Sequence, residues 1–182
     1  MQPTDIRNPD YFHKVVDCQW ACPAHTPVPE YIRLIAAGRY SDAYMVNWKS
    51  NVFPGILGRT CDRPCEPACR RGRVEEENQP KPEPVAICRL KRVAADLKGD
   101  DIKGRMPRPA ARKNGRRIAC VGAGPASLTV ARDLAPLGYS VTVFDQDPRA
   151  GGMIWSQIPR FRLPLEVIDE EVNYILELGV EF

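Results

Sequence analysis

The sequence predicts a multidomain protein, with a small α-helical, cysteine-rich domain followed by the start of a parallel α/β domain. Three observations carry this. Six of the seven cysteines (Cys18, Cys22, Cys61, Cys65, Cys69 and Cys88) lie among prolines and short helical stripes in the first half of the chain. A strand, a glycine turn, a helix and a second strand follow from Ile118. Between the two halves, residues 99–117 are rich in Gly, Pro, Lys and Arg, which predicts a basic linker and a domain boundary. The expected division is 1–98, 99–117 and 118–182.

Composition narrows the function classes. A 182-residue chain with a net charge of +3 and 27% charged residues points to neither nucleic acid nor membrane as a partner. No apolar run approaches the roughly 18 residues of a membrane-spanning helix. The first residues lack the apolar core and cleavage site of a secretion signal. These features predict the cytoplasm, where clustered cysteines hold metal more often than they form disulfides.

Residues 1–17 read as a polar arm. Thr26-Pro27 reads as a helix cap followed by a first-turn proline, and Val28, Tyr31, Ile32, Ile35 and Ala36 form an apolar stripe that stops at Gly38. Ser41 reads as the cap of a second helix with Tyr44, Met45 and Trp48 on one face, and Pro54-Gly55 as the end of the helical signal. Cys61, Cys65 and Cys69 are spaced as on a helix face. Pro64 and Pro67 oppose a helix there, so a loop is expected. Residues 74–84 read as an exposed acidic excursion, and a helix is expected from about Pro84 to Lys98 with Cys88 on its inner face.

In the second half, Ile118–Val121 reads as a buried strand in which Cys120 is an apolar core residue. The GAGPAS turn follows. Gly122 permits the tight turn, Gly124 allows a pyrophosphate to approach the helix N-terminus, and Pro125, Ala126 and Ser127 open the helix. Ser127 takes the place of the usual third Gly or Ala. Gly138 ends the helix, and a second strand runs into Asp145, placed to accept hydrogen bonds from a ribose. Gly151 and Gly152 form another turn near the same crevice, a helix is expected over 165–178, and GVEF reads as the start of a third strand. More strands would be needed to complete the sheet, so the domain reads as truncated and the chain as the N-terminal part of a longer one.

The motifs CxWxCP at Cys18–Pro23, RTCxxPCExAC at Arg59–Cys69, GAGPAS, Asp145, the Gly-Gly pair and FRLP together resemble the glutamate synthase small subunit family, which includes the N-terminal domains of dihydropyrimidine dehydrogenase. The resemblance covers about residues 10–182. It implies an α-helical [4Fe–4S] domain followed by the N-terminal part of a Rossmann-like FAD-binding domain. The implied activity is that of a flavin- and iron–sulfur-dependent NAD(P)H oxidoreductase, with NAD(P)H binding on a segment beyond this chain and another subunit or domain supplying or accepting electrons.

Carried over by position, the resemblance assigns Cys18 and Cys69 to a first cluster and Cys22, Cys61 and Cys65 to a second. The two upstream cysteines of the first cluster are replaced by Asp10 and His13, both able to ligate iron. The helix position that aligns with the last ligand of the second cluster holds Lys91, a poor ligand. Cys88, three residues earlier on the same face, is the candidate to complete that cluster. Arg162 is a candidate to face the flavin or bridge it to a cluster, beside a plain capping or surface role.

Two other readings stay open. One is a non-catalytic subunit that keeps the clusters as structure or as an electron wire. The other is a zinc-stapled interaction module, disfavoured by the absence of any CxxC knuckle.

Overall fold

The computed structural model describes residues 16–73 and 82–182. The chain divides into two compact units between Gly99 and Asp100.

The first unit is α-helical. A short α1 (Asp17–Ala21) carries Cys18 where the sequence suggested the end of a polar arm. Helix α2 (Val28–Ala36) buries Val28 and Tyr31 and gives way at Gly38, whose φ of +71° suits glycine. Helix α3 (Tyr40–Asn51) buries Ala43, Tyr44, Asn47, Trp48 and Asn51. Helix α4 (Pro54–Thr60) corrects the reading of Pro54-Gly55 as a stop. Proline has no N–H to lose in a first turn, so Pro54 starts this helix. Helix α5 (Ile87–Asp96) is shorter at both ends than the pattern suggested, and it packs on α2, α3 and α4.

The contact of α4 with α5 depends on Gly58, where a Cβ would lie 2.8 Å from the Arg92 Cα. Arg59 pins the same pair of helices. Its side chain donates to the Gly55 carbonyl at 3.0 Å and to Asp96 Oδ1 at 2.7 Å. From Cys61 to Cys69 the chain is a run of turns, as the prolines required, and a 3₁₀ turn follows at Arg70–Arg73.

Two expected caps are absent. Neither α2 nor α3 has a side-chain cap; the Ser41 hydroxyl instead accepts the Gly99 amide at 3.0 Å, and Thr26 is buried.

The second unit opens with a four-residue helix α6 (Ile102–Arg105) that buries Ile102 within the basic stretch. Strand β1 (Arg117–Val121) runs parallel to β2 (Ser140–Phe144), with Arg117 opposite Ser140 and Val121 opposite Phe144. Helix α7 (Pro125–Leu134) makes the crossover. It tightens into a 3₁₀ turn at Ala135–Leu137 and ends at Gly138, φ +91°. Beyond β2, Glu181 exchanges backbone hydrogen bonds with Val141 and Val143, so GVEF begins a parallel third strand. Helices α8 (Met153–Ser156) and α9 (Leu165–Leu176) complete the unit. Ile168 and Ile175 of α9 join Leu128, Val141 and Val143 among its fully buried side chains.

Candidate metal centre and nucleotide turn

The loop after α4 and the first turn of α5 gather three thiols. Cys61 closes α4, Cys65 lies four residues on, and Cys88 occupies the second position of α5. The thiols of Cys61 and Cys65 both interact with that of Cys88. The Cys61 thiol is pushed up by its bond to Cys88 and by burial. Cys65 moves down, because Cys88 donates to it. Cys88 is lowered by Cys61, but its bond to Cys65 and its burial outweigh that and leave it at about 11. Cys22 is near enough to act on Cys65 by its charge. All seven cysteines are free thiols.

Several contacts fix this group. Glu66 Oε1 accepts the Cys88 amide at 3.0 Å, so the cysteine loop itself supplies the anion that a helix N-terminus favours. The Arg63 amide donates to Cys61 Sγ at 3.3 Å. Lys91, only 4% exposed, stands one turn along α5 from Cys88, and its charge favours the thiolates of Cys61, Cys65 and Cys88. The sequence marks Lys91 only as a poor ligand. In the fold it is a buried cation beside three sulfurs.

Cys18 and Cys69 form a second, smaller group. They pack on the same apolar cluster around Tyr31, and the charge of Cys69 acts on Cys18 after burial, the larger cause of its raised pKa. Their chain neighbours hold them together: Arg70 Nε donates to Asp17 Oδ2 at 2.9 Å, and Arg73 adds a longer ion pair. Tyr31, in the same apolar cluster as Cys65 and Cys69, donates its hydroxyl to the Ile87 carbonyl at 3.1 Å. Burial, then the charges of Cys65, Cys88, Cys18 and Cys22, hold its phenol well above the usual range. Asp10 and His13 lie outside the described residues.

This donor set fits an iron–sulfur cluster. Such clusters take thiolates at four separate corners, and the larger group offers four cysteines with a buried cation to offset their charge. Among the described residues no three His, Cys, Asp or Glu side chains form a group able to hold a single metal ion.

In the second unit, Gly122 has φ +90°, and a Cβ at Gly122 or Gly124 would meet nothing within 4 Å, which leaves room above the turn at the α7 N-terminus. The Gly151-Gly152 turn closes on it from the side. The Gly151 amide donates to the Ala123 carbonyl at 2.8 Å, and a Cβ on Gly152 would lie 3.0 Å from the Gly124 Cα. Asp145 holds the turn from within by accepting the amides of Ala123 at 2.5 Å and Asp147 at 2.9 Å. A carboxylate has further lone pairs, so these bonds leave acceptor capacity for a ribose. Pro125, Ala126 and Ser127 form the first turn of α7. Arg162 is exposed, in the turn before α9. Cys120 is buried in β1 as a core residue.

Comparison with known proteins agrees with this division. Residues 12–101 match the family described as dihydropyrimidine dehydrogenase domain II, 4Fe-4S cluster, and residues 120–177 match the NAD(P)-binding Rossmann-like domain. The chain is 38% identical to the NADP(+)-dependent formate dehydrogenase subunit beta of Moorella thermoacetica, over 90% of this chain and 25% of the relative. It is 34% identical to the NADPH-Fe(3+) oxidoreductase subunit beta of Geobacter sulfurreducens, over 98% of this chain and 26% of the relative. It is 36% identical to the glutamate synthase [NADPH] small chain of Mycobacterium tuberculosis, over 91% of this chain and 32% of the relative. The chain therefore spans about a quarter to a third of the length of these three relatives.

Proposed function

Because the chain belongs to the family of oxidoreductase subunits that join a 4Fe-4S cluster domain to an NAD(P)-binding Rossmann-like domain, with the glutamate synthase small chain among them, we propose that it is an electron-transfer module of an NAD(P)H-dependent flavin and iron–sulfur oxidoreductase. The single observation that carries this is the gathering of Cys61, Cys65 and Cys88, with Cys22 beside them and Lys91 buried behind. These four cysteines would hold one [4Fe–4S] cluster. Cys18 and Cys69, with Asp10 and His13, would hold a second. Bound clusters supply one-electron transfer, which a hydride donor alone cannot.

The chain's own residues bind, orient and insulate. The Tyr31 core and the Asp17–Arg70 pair keep the two cysteine groups at fixed places in one unit. Glu66 and the Arg63 amide orient Cys88 and Cys61. In the second unit, Gly122, Gly124 and the α7 N-terminus would receive the pyrophosphate of FAD, Asp145 its ribose and Gly151-Gly152 its flank, with Arg162 toward the flavin. Electrons would pass to or from a partner subunit, and two of the relatives cited are themselves named as beta subunits. No described helix is long and apolar enough to cross a membrane. Seven unpaired cysteines suit a reducing compartment such as the cytoplasm.

The match of residues 120–177 to an NAD(P)-binding domain favours a second reading, in which the glycine turn holds NAD(P) itself. One experiment addresses both. The full chain is purified anaerobically, iron and sulfide are counted, and bound FAD and NAD(P) are measured separately. Iron and sulfide in equal amounts with an EPR signal on reduction, lost in part in Cys88→Ser, is the expected result. Zinc without sulfide would overturn the cluster reading. Tight binding of NAD(P) with no affinity for FAD would replace the flavin assignment.

A further inference from the structure

Thr26 is the residue whose placement its sequence explains least. Preceding a proline at the start of α2, it has the form of a helix cap, yet its hydroxyl caps nothing and the residue is 1% exposed. A buried hydroxyl needs partners, and those of Thr26 come from elsewhere. Asn51, at the end of α3, donates from Nδ2 to Thr26 Oγ1 at 2.5 Å. Ser50 Oγ lies 3.2 Å from Thr26 Oγ1 and also 3.2 Å from the Asn47 carbonyl. Cys22 Sγ is 3.5 Å from Thr26 Oγ1.

The protonation state of the sulfur decides the direction of that last contact. The Asn51 amide nitrogen can only donate, so Thr26 Oγ1 accepts there, and its lone pairs also accommodate Ser50 as a donor. Ser50 has one proton, which the Asn47 carbonyl also faces; where Ser50 gives it to Thr26, the Thr26 proton is left for Cys22. A free thiol could donate in either direction, but a sulfur bound to iron has no proton, so the hydroxyl is then the donor.

We propose that Thr26, held by Asn51, is a positioning residue that donates a hydrogen bond to the ligating sulfur of Cys22 and thereby raises the reduction potential of the adjoining cluster. This rests on the reading of Cys22 as a cluster ligand. Reduction adds negative charge to the cluster sulfurs, so a donor at one of them stabilises the reduced state more than the oxidised state. The Arg63 amide does the same for Cys61 from the backbone, which no side-chain substitution removes. Thr26 is the donor that mutation can delete.

The test is an anaerobic redox titration of the full chain with dithionite, followed by EPR, on wild type, Thr26→Val and Thr26→Ser. Valine keeps the shape and removes the donor. The expected result is a midpoint lowered in the valine variant by an oxidised-to-reduced ratio of about tenfold, equal to about 59 mV for one electron, with the serine variant at the wild-type value. The midpoint is a property of each loaded molecule, so reduced cluster yield does not obscure it, and Thr26→Ala replaces the valine variant if that one does not fold. An unchanged midpoint without the hydroxyl, in protein whose iron and sulfide match wild type, overturns the inference and leaves the cluster reading standing. Wild-type protein that binds no iron and sulfide overturns both.

Discussion

Lys91 gives the cluster reading its sharpest quantitative consequence. A lysine buried to 4% exposure has lost most of its hydration, a cost that a protein recovers only with negative charge close by. On α5 it stands three residues after Cys88 on the same face, and its charge acts on Cys61, Cys65 and Cys88. Two unit charges about 6 Å apart, at an effective dielectric constant of about 20, interact by roughly 2.8 kcal/mol. If the electron added on reduction settled wholly at that distance, removing the ammonium would lower the midpoint by about 120 mV, taking 59 mV per tenfold change. Spreading the charge over the cluster and its sulfurs reduces this, so a fall of roughly 50–120 mV is expected.

Lys91→Met removes the charge while keeping an unbranched apolar stem, and Lys91→Arg keeps a charge in nearly the same place. Methionine should lower the midpoint read by EPR titration and leave the thermal midpoint of folding unchanged or raised, since a buried charge is replaced by an apolar group. Arginine should stay close to wild type in potential. A methionine variant that loads its iron fully and titrates with the wild-type protein would refute the placement of Lys91 behind the cluster sulfurs.

Three further outcomes follow from the packing. Gly58→Ala drives a Cβ into the Arg92 backbone at 2.8 Å, so it should cost about 1–3 kcal/mol in denaturant unfolding and lower iron content, because Cys61 and Cys88 ride on the two helices it forces apart. Gly152→Ala meets both φ +54° and the Gly124 Cα at 3.0 Å; it should weaken dinucleotide binding, read by calorimetry, by at least about tenfold, while the cluster EPR signal stays as in wild type. The Asp145 carboxyl is held below the usual carboxylate range by the amides of Asp147 and Ala123. Its contribution to stability is therefore complete above the ordinary carboxyl value and is lost as pH falls through the lowered folded one. Circular dichroism should show acid unfolding of Asp145→Asn lacking that part of the wild-type pH dependence.

The sequence was most legible where chemistry and spacing coincide. The turn from Gly122 to Asp145 follows rules local to about thirty residues, and the structure has the strand, crossover helix and second strand where the pattern put them. The Cys61–Cys69 loop was legible because proline limits what a backbone can do. The same rule misled at Pro54, since a proline that ends one helix is also the favoured first residue of the next. Helix caps failed for a different reason. Thr26 and Ser41 have the right type and position, but Asn51 lies 25 residues from Thr26 and Gly99 lies 58 from Ser41. Tertiary partners took both hydroxyls, and no local pattern announces a partner at that distance.

The residues around the sulfurs repeat this division. A ligand is recognisable in sequence because few residue types bind iron and their spacing is constrained. The groups packed around the cysteines, here Glu66, Lys91, Thr26 and the Asp17–Arg70 pair, are common surface types whose placement and contacts exist only after folding. Such groups also set what the centre does, because a cluster's potential depends on the charge, donors and solvent around it. Glu66 makes the point most directly. Read as a sequence, it is one more acidic residue between two cysteines. Folded, its carboxylate accepts the Cys88 amide and so ties the loop bearing Cys65 to the helix bearing Cys88.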